Sequence, residues 1–263
     1  MKQSEYLEFA KDIATHAGEI MLKFFGQDNI TKSKGDKSPV TIADTEINSY
    51  VIKRVKDTYP AHAVLGEEES FGESAYVWVC DPIDGTAQFS RGVPISVFSL
   101  ALVIDGISTI GVIYDPFFKN MYWAIKGRGA YKNDKQIFVN NDKFDPSNQH
   151  STSIAFGFFP RAKWFDLSTA YKKFVELANL YCIGSTTHDA AMLAEGHHVA
   201  VIFPAIDYPP HDMAAAKVIV EEAGGIVRNF DGNEDRMDGK INGCILTNKV
   251  VYNDVLRIIK AKS

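Results

Sequence analysis

Trp78-Val79-Cys80-Asp81-Pro82-Ile83-Asp84-Gly85-Thr86 is the stretch whose reading decides this chain. Its apolar front, Tyr76 to Cys80, predicts a short buried strand, and acids begin where that strand should stop. Pro82 has no N–H and a fixed φ, so pairing is expected to end and the chain to turn there. Asp81 and Asp84 flank the turn and, with the Ile83 carbonyl, aim oxygens at one point. Such oxygens are what a hard cation such as Mg²⁺ takes as ligands. Gly85 lets the backbone approach a ligand closely, and Thr86 stands where a helix begins with its N–H groups facing outward. A cation on one side and amides on the other make a place for a phosphate.

Two alternatives apply to the stretch alone. Asp-Pro and Asp-Gly are common turn dipeptides, which read as a surface loop. A phosphatase class with a D-x-D-G-T motif uses a phosphoaspartyl intermediate. Its acids are closer in sequence than Asp81 and Asp84, which have a proline between them, and this spacing disfavours the covalent route.

The 263 residues are 46% hydrophobic, enough to bury a large core as one domain or two joined halves. A formal net charge of −5 and the lack of a Lys/Arg-rich run argue against nucleic acid as the main partner. An anionic metabolite then needs local positive charge from metals or helix ends. The start of the chain carries no apolar signal core, and the apolar run Val97–Ile104 is too short to span a bilayer, so no membrane partner is expected. Cys80, Cys182 and Cys244 cannot all pair and sit among apolar neighbours, so all three are expected as reduced core thiols in a cytoplasmic protein.

Outward from the central stretch, apolar spacing predicts a helix over 5–25 and a second after Val40-Thr41-Ile42-Ala43-Asp44, where Asp44 fits a capping role. Lys32–Ser38 is polar and basic, a lid over a phosphate or a solvated loop. Ala63–Gly66 reads as a strand delivering Glu67-Glu68-Glu69, an ordinary acidic turn unless it meets another acid-bearing strand end. Val97–Ile104, Thr109–Tyr114 and Asn120–Ala124 suggest an antiparallel meander. A polar run over 140–149 is the candidate seam, dividing an N-terminal α+β half (1–145) from a C-terminal α/β half (146–263) within one catalytic unit.

In the second half, strands are expected at Ser153–Phe158, Tyr181–Ile183, Val199–Phe203, Ile226–Arg228 and Cys244–Thr247. Helices are expected at Ala162–Ala178, from Gly184-Ser185-Thr186-Thr187 to Ala194, at Asp212–Ala223 and at Asn248–Lys260. Thr186 with Asp189 resembles a capping box. His188, His197, His198 and His211 show no metal-ligand spacing and are expected at the surface.

Several signatures occur together and in order. They are Val40-Thr41-Ile42-Ala43-Asp44, Gly66-Glu67-Glu68, Asp81-Pro82-Ile83-Asp84-Gly85-Thr86, His211-Asp212-Met213-Ala214-Ala215 and Glu222-Ala223-Gly224-Gly225. In this the whole chain resembles the inositol monophosphatase family. The resemblance implies an α+β fold, a layered αβαβα sandwich of the type shared with fructose-1,6-bisphosphatase. It implies a lithium-sensitive homodimer that hydrolyses a phosphate monoester with two or three Mg²⁺ ions and metal-activated water.

Carried over by position, Glu67, Asp81 and the Ile83 carbonyl hold a first ion. Asp81, Asp84 and Asp212 hold a second, and a weaker third leans on Glu67. Asp44, Thr86 and Glu67 form the catalytic set, with Asp44 and Thr86 polarising the attacking water. The Gly85 and Thr86 amides bind the phosphate. Gly184, Ser185 and Thr186, with Asp207 as a looser match, face the rest of the substrate.

The chain departs from the family around the alcohol. His211 stands where an aromatic residue is frequent, Tyr181-Cys182-Ile183 replaces an arginine-bearing run, and Thr187-His188 replaces small residues. Inositol monophosphate is the leading substrate. Fructose 1,6-bisphosphate, histidinol phosphate and adenosine 3′,5′-bisphosphate are the alternatives within the superfamily, and a non-catalytic metal- and phosphometabolite-binding regulator is the alternative outside it.

Overall fold

The first helix shows how the layers arise: Leu7, Ala10, Ile13, Ala14, Ala17 and Met21 repeat at helical spacing and are all buried on one stripe. The computed structural model of the chain describes residues 2–27, 30–33, 39–145, 147–157 and 163–261. Its elements begin α1 (Lys2–Phe24), β1 (Ile30–Ser33), β2 (Pro39–Thr41), α2 (Ile42–Thr58), β3 (Ala63–Gly66), β4 (Ser70–Phe71) and β5 (Tyr76–Asp84). Next come α3 (Thr86–Phe89), β6 (Val97–Ile104), β7 (Ile107–Asp115), β8 (Asn120–Ile125), β9 (Ala130–Lys132) and β10 (Lys135–Ile137). Then follow β11 (Ser153–Phe156), β12 (Lys163–Trp164), α4 (Ser168–Val175), β13 (Asn179–Tyr181), α5 (Thr186–Ala194), β14 (Ala200–Phe203) and β15 (Ala205–Ile206). The chain closes with α6 (His211–Glu222), β16 (Ile226–Arg228), β17 (Cys244–Thr247) and α7 (Tyr252–Lys260).

One sheet runs β10-β9-β8-β7-β6-β5-β3-β4 and another β13-β11-β14-β17-β16. Side chains alternate across β5, so Trp78 and Cys80 face one way and Val79 the other. Trp78, Leu100 and Val112 pack with Ile13, Ala17, Ile47 and Val51 of α1 and α2. On the opposite face Val79, Ala101 and Ile113 meet Met213, Ile219 and Ala190 of α6 and α5, backed by Val201, Phe203 and Leu246 of the smaller sheet. Beyond that sheet, Ile154, Phe156 and Ile202 cover Phe174 of α4 and Val255 of α7. Three apolar seams thus separate five layers, the expected αβαβα sandwich. The middle seam draws residues from both sides of 140–149, so the two halves share a core.

Several expectations change. β5 does not end before Pro82: Asp81 pairs with Ser99 and Asp84 with Val97, with a register shift between them. A proline costs no ladder bond in a bulge, so the strand runs through it. The helix expected over Ala162–Ala178 is the shorter Ser168–Val175, where Asp166 Oδ1 accepts from Ser168 N at 2.9 Å. The closing helix starts at Tyr252 because Asn248 Oδ1 takes the N–H groups of Val250 and Val251, each at 3.0 Å. The strand expected at Tyr181–Ile183 is Asn179–Tyr181, parallel to β11. Cys182, just past it, is exposed, whereas Cys80 and Cys244 are buried. Residues 34–38 of the expected lid, Phe158 of the first expected strand and Ala162 at the start of the expected helix lie outside the described residues. Among the described residues no helix is long and apolar enough to cross a membrane.

Candidate active site

Residues three apart on a regular strand face opposite sides. The extra residue in the β5 bulge turns Asp84 back onto the side of Asp81. Ile83 N donates to Asp81 Oδ1 at 3.0 Å, fixing the turn inside the bulge. One oxygen each of Asp81, Asp84 and Asp212 lies within 4.8 Å of the others, and all three acids are buried. Asp212 arrives from the second half on the first turn of α6, a helix clamped between the two sheets by Met213, Val218, Ile219 and Val220. Each such buried side chain contributes about 1.5–3 kcal/mol, which together holds a helix that also carries a buried acid.

Glu67 leaves the end of β3 beside β5, where Glu67 N donates to the Cys80 carbonyl at 3.1 Å. Asn48, one turn past Asp44 on α2, shapes this acidic turn. Its Nδ2 donates to the Glu69 carbonyl at 3.0 Å and its Oδ1 accepts from Glu68 N at 3.4 Å. A Cβ on Gly66 would meet Asn48 Oδ1 at 2.2 Å and the Glu69 carbonyl oxygen at 2.4 Å. Gly66→Ala is therefore expected to destabilise the protein by about 1–3 kcal/mol, the range for overpacking. Denaturant unfolding checks this, and an unchanged midpoint would show that the acidic turn is not held in this way.

Asp44 serves two partners. Its Oδ2 accepts from Thr41 N at 2.8 Å and Thr41 Oγ1 at 2.5 Å, the reciprocal cap of α2. Its Oδ1 faces Thr86 Oγ1 at 3.4 Å. The Thr86 hydroxyl also lies 2.9 Å from the Ile83 carbonyl, which has a second lone pair left for another donor or a cation. Gly85, at φ +91°, precedes α3, and a Cβ there would crowd Ser96 Oγ at 3.1 Å and the Gly184 carbonyl at 3.2 Å.

The loop before α5 closes on Asp84. Asp84 Oδ2 accepts from Ser185 Oγ at 3.0 Å and from Thr187 N at 2.5 Å. Ser185, not Thr186, caps the helix, accepting from His188 N at 3.3 Å, while Asp189 lies a residue further in. Thr187 Oγ1 donates to the Asp212 carbonyl at 2.9 Å, so one loop braces two acids of the cluster. Thr186 is fully buried with its hydroxyl toward Gly157.

Packing these carboxylates together raises their pKa values. Burial pushes Asp81 well above the usual range, and Glu67, Asp212 and Asp84 add like charge. Burial and then Glu67 move Asp44 up to about 7, against the lowering by Thr41. Burial lifts Asp84 to about 6, opposed by its bonds to Thr187 and Ser185. A second triple, Glu67, Asp81 and His211, meets the same 4.8 Å spacing, as does a third, Asp44, Glu67 and Glu68. Oxygen-rich donors, shared acids and mutual repulsion fit divalent cations, which relieve the like charge.

Other expectations fall away from the cluster. Asp207, at φ +55°, points outward with Lys240 Nζ 2.8 Å from its Oδ2. Of the histidines expected at the surface, only His197 is well exposed. His188 Nδ1 is 2.9 Å from the Ile95 carbonyl and His198 Nδ1 2.8 Å from Ser153 Oγ. His211 is 5% exposed with Nε2 3.1 Å from Asp212 Oδ1. Sequence reading also missed Asn48 and Tyr208. Tyr208 packs against His211 with ring centroids 5.5 Å apart, and burial, then the charges of Asp212, Glu67, Asp81 and Asp84, push its phenol far above the normal range. For Asn48 the signal was present, a polar residue one turn after Asp44 on the apolar side of α2.

The sequence profile of the inositol monophosphatase family matches residues 2–262. A fructose-1,6-bisphosphatase/inositol-1-monophosphatase of Aquifex aeolicus is 32% identical over 266 residues, covering 97% of this chain and 96% of its own. The Nus factor SuhB of Escherichia coli is 30% identical, covering 97% and 93%. Among solved structures, an IMPase of Thermotoga maritima has a TM-score of 0.85 at 26% identity, covering 97% of this chain and 96% of its own. With relatives of this kind, the class is a phosphoric monoester hydrolase. The chain belongs to the inositol monophosphatase family, which is metal-dependent, and its clustered acids are able to bind metal.

Proposed function

We propose that this protein hydrolyses a small phosphate monoester with two or three Mg²⁺ ions, inositol monophosphate being the leading substrate. The observation that carries this reading is the meeting of Asp81, Asp84 and Asp212 from both halves, with Glu67 sharing Asp81. Glu67, Asp81 and the Ile83 carbonyl would hold one ion, Asp81, Asp84 and Asp212 a second, and Glu67 with Asp44 and Glu68 beside it a weaker third. When bound, the ions supply charge compensation on the phosphate and leaving oxygen and acidify a water.

The chain's own residues do the rest. Asp44 Oδ1 accepts the hydroxyl proton of Thr86 as that hydroxyl takes one from the attacking water, while Asp44 Oδ2 stays fixed by Thr41. Gly85 and Thr86 place the phosphate by their amides, and Ser185 and Thr187 keep Asp84 turned inward. Gly184 borders the alcohol side, whereas Ser185 is committed to Asp84 and Thr186 is buried toward Gly157, so both stand outside the set of substrate contacts. Asp207, engaged by Lys240, stands outside this set. The same reading makes the protein a cytoplasmic homodimer without a nucleic-acid or membrane partner, in keeping with its acidic balance and unpaired cysteines.

A relative named as a Nus factor, rather than as a phosphatase, is the observation behind a second reading. There the chain binds metal and phosphometabolite as a regulator without turnover. Phosphate release from inositol monophosphate, fructose 1,6-bisphosphate, histidinol phosphate and adenosine 3′,5′-bisphosphate separates the two. Turnover of at least one ester is expected with Mg²⁺ and none with chelator, and millimolar Li⁺ is expected to inhibit it. Silence across the panel supports the regulator, and turnover indifferent to chelator ends the metal reading.

A further inference from the structure

His211 opens α6 directly before Asp212, and its imidazole is 5% exposed. Its Nε2 is 3.1 Å from Asp212 Oδ1. One donor atom each of Glu67, Asp81 and His211 falls within 4.8 Å of the others, the same spacing as Asp81, Asp84 and Asp212. Asp81 belongs to both triples, and the imidazole that shares Glu67 and Asp81 also touches Asp212 of the other triple.

The ring is held in place. Tyr208 packs against it with centroids 5.5 Å apart and itself meets Phe203 at 5.4 Å. The Tyr208 backbone is pinned to Ile241 by two bonds of 3.1 and 2.8 Å. Pro210 precedes the ring and limits the backbone at the helix start. A surface or capping histidine needs none of this support, whereas a metal ligand needs its ring orientation fixed.

We infer that His211 is a nitrogen ligand of the cation position built from Glu67, Asp81 and the Ile83 carbonyl, and that it tilts this position toward borderline divalent ions such as Zn²⁺ relative to Mg²⁺. The inference rests on the reading that the acids hold cations. Carboxylate and carbonyl oxygens suit Mg²⁺, while an imidazole adds little for Mg²⁺ and much for later first-row ions. A neutral imidazole also brings a donor without adding to the negative charge already crowded there.

The test loads the full-length protein with Mn²⁺ and records pulsed electron paramagnetic resonance for nitrogen coupling to the ion. Coupling is expected in the wild type and in His188→Gln, and its loss in His211→Phe, which keeps a ring against Tyr208. Calorimetry should show His211→Phe weakening Zn²⁺ binding about tenfold or more and Mg²⁺ binding less than about threefold. A Mn²⁺-loaded wild type without nitrogen coupling overturns the inference even if the variant fails to fold, as does an equal loss for Zn²⁺ and Mg²⁺. Asp81→Asn separates the two layers, because Asp81 belongs to both triples. Mn²⁺ binding unchanged in that variant removes the acid site itself, while Asp81-dependent binding without nitrogen coupling removes His211 alone.

Discussion

Asp84→Asn is expected to lower kcat about a thousandfold at saturating Mg²⁺ while leaving the fold intact, the scale of losing a principal charge-stabilising group. Asp84 Oδ2 is the acceptor for Ser185 Oγ and Thr187 N. An asparagine carbonyl can take over both bonds, and its NH₂ then stands where the other carboxylate oxygen was. An amide NH₂ offers no lone pair to a cation, so the ion position is lost without unravelling the loop. Burial raises Asp84 to about 6, so at neutral pH its charge destabilises the protein stripped of cations. The midpoint of Asp84→Asn in chelator should therefore equal or exceed that of the wild type. Asp84→Ala should behave differently, since it leaves the Thr187 amide and Ser185 hydroxyl buried without their acceptor, at about 1–3 kcal/mol. Initial rates and thermal unfolding on the three proteins check the set. Near-normal turnover in Asp84→Asn would remove Asp84 from the site.

The layers were legible in the sequence because burial writes a period into it. The 3.6-residue stripe of α1 and the alternation across β5 each name the face that must be covered. The bulge was not legible: Asp-Pro signals a turn, and a turn and a bulge use the same residues until a partner strand is known. Here that partner is β6, and the strand runs on to Asp84. Cys182 was misread for a related reason, because its apolar neighbours belong to the edge strand β13, not to the interior. Asp207 illustrates the limit on charge, since its partner Lys240 lies 33 residues away and nothing local announces it. His211 looked like a surface residue after two prolines, yet α6 is covered on both sides by sheets, and its first residue is buried with the rest. Asp44 shows two local readings holding at once: the cap reading accounts for Oδ2, and Oδ1 faces Thr86.

Stripping divalent cations should lower stability more as pH rises, and restoring them should stabilise the protein by an amount that grows with pH. Asp44 sits at about 7 and Asp84 at about 6, both raised from 3.8, so the folded state holds protons that the unfolded chain has released. Stability from a raised carboxyl is complete below the unfolded pKa and is lost as pH climbs through the folded one. The window for these two groups therefore runs from 3.8 up to about 7. A tenfold gain in proton affinity on folding corresponds to about 1.4 kcal/mol, so the loss across the window is a large fraction of a domain's ordinary stability of about 5–15 kcal/mol. Bound cations favour the charged carboxylates and displace those protons, which reverses the slope. Thermal unfolding in chelator is expected to show a midpoint falling from about pH 5 to about pH 8, and in millimolar Mg²⁺ a midpoint that holds or rises. Calorimetric titration with Mg²⁺ should release protons to the buffer near pH 6 and fewer near pH 8, where the acids are already ionised. Parallel curves with and without Mg²⁺ would mean that the buried carboxylates are neutralised from within the fold and do not require a cation to share the cavity.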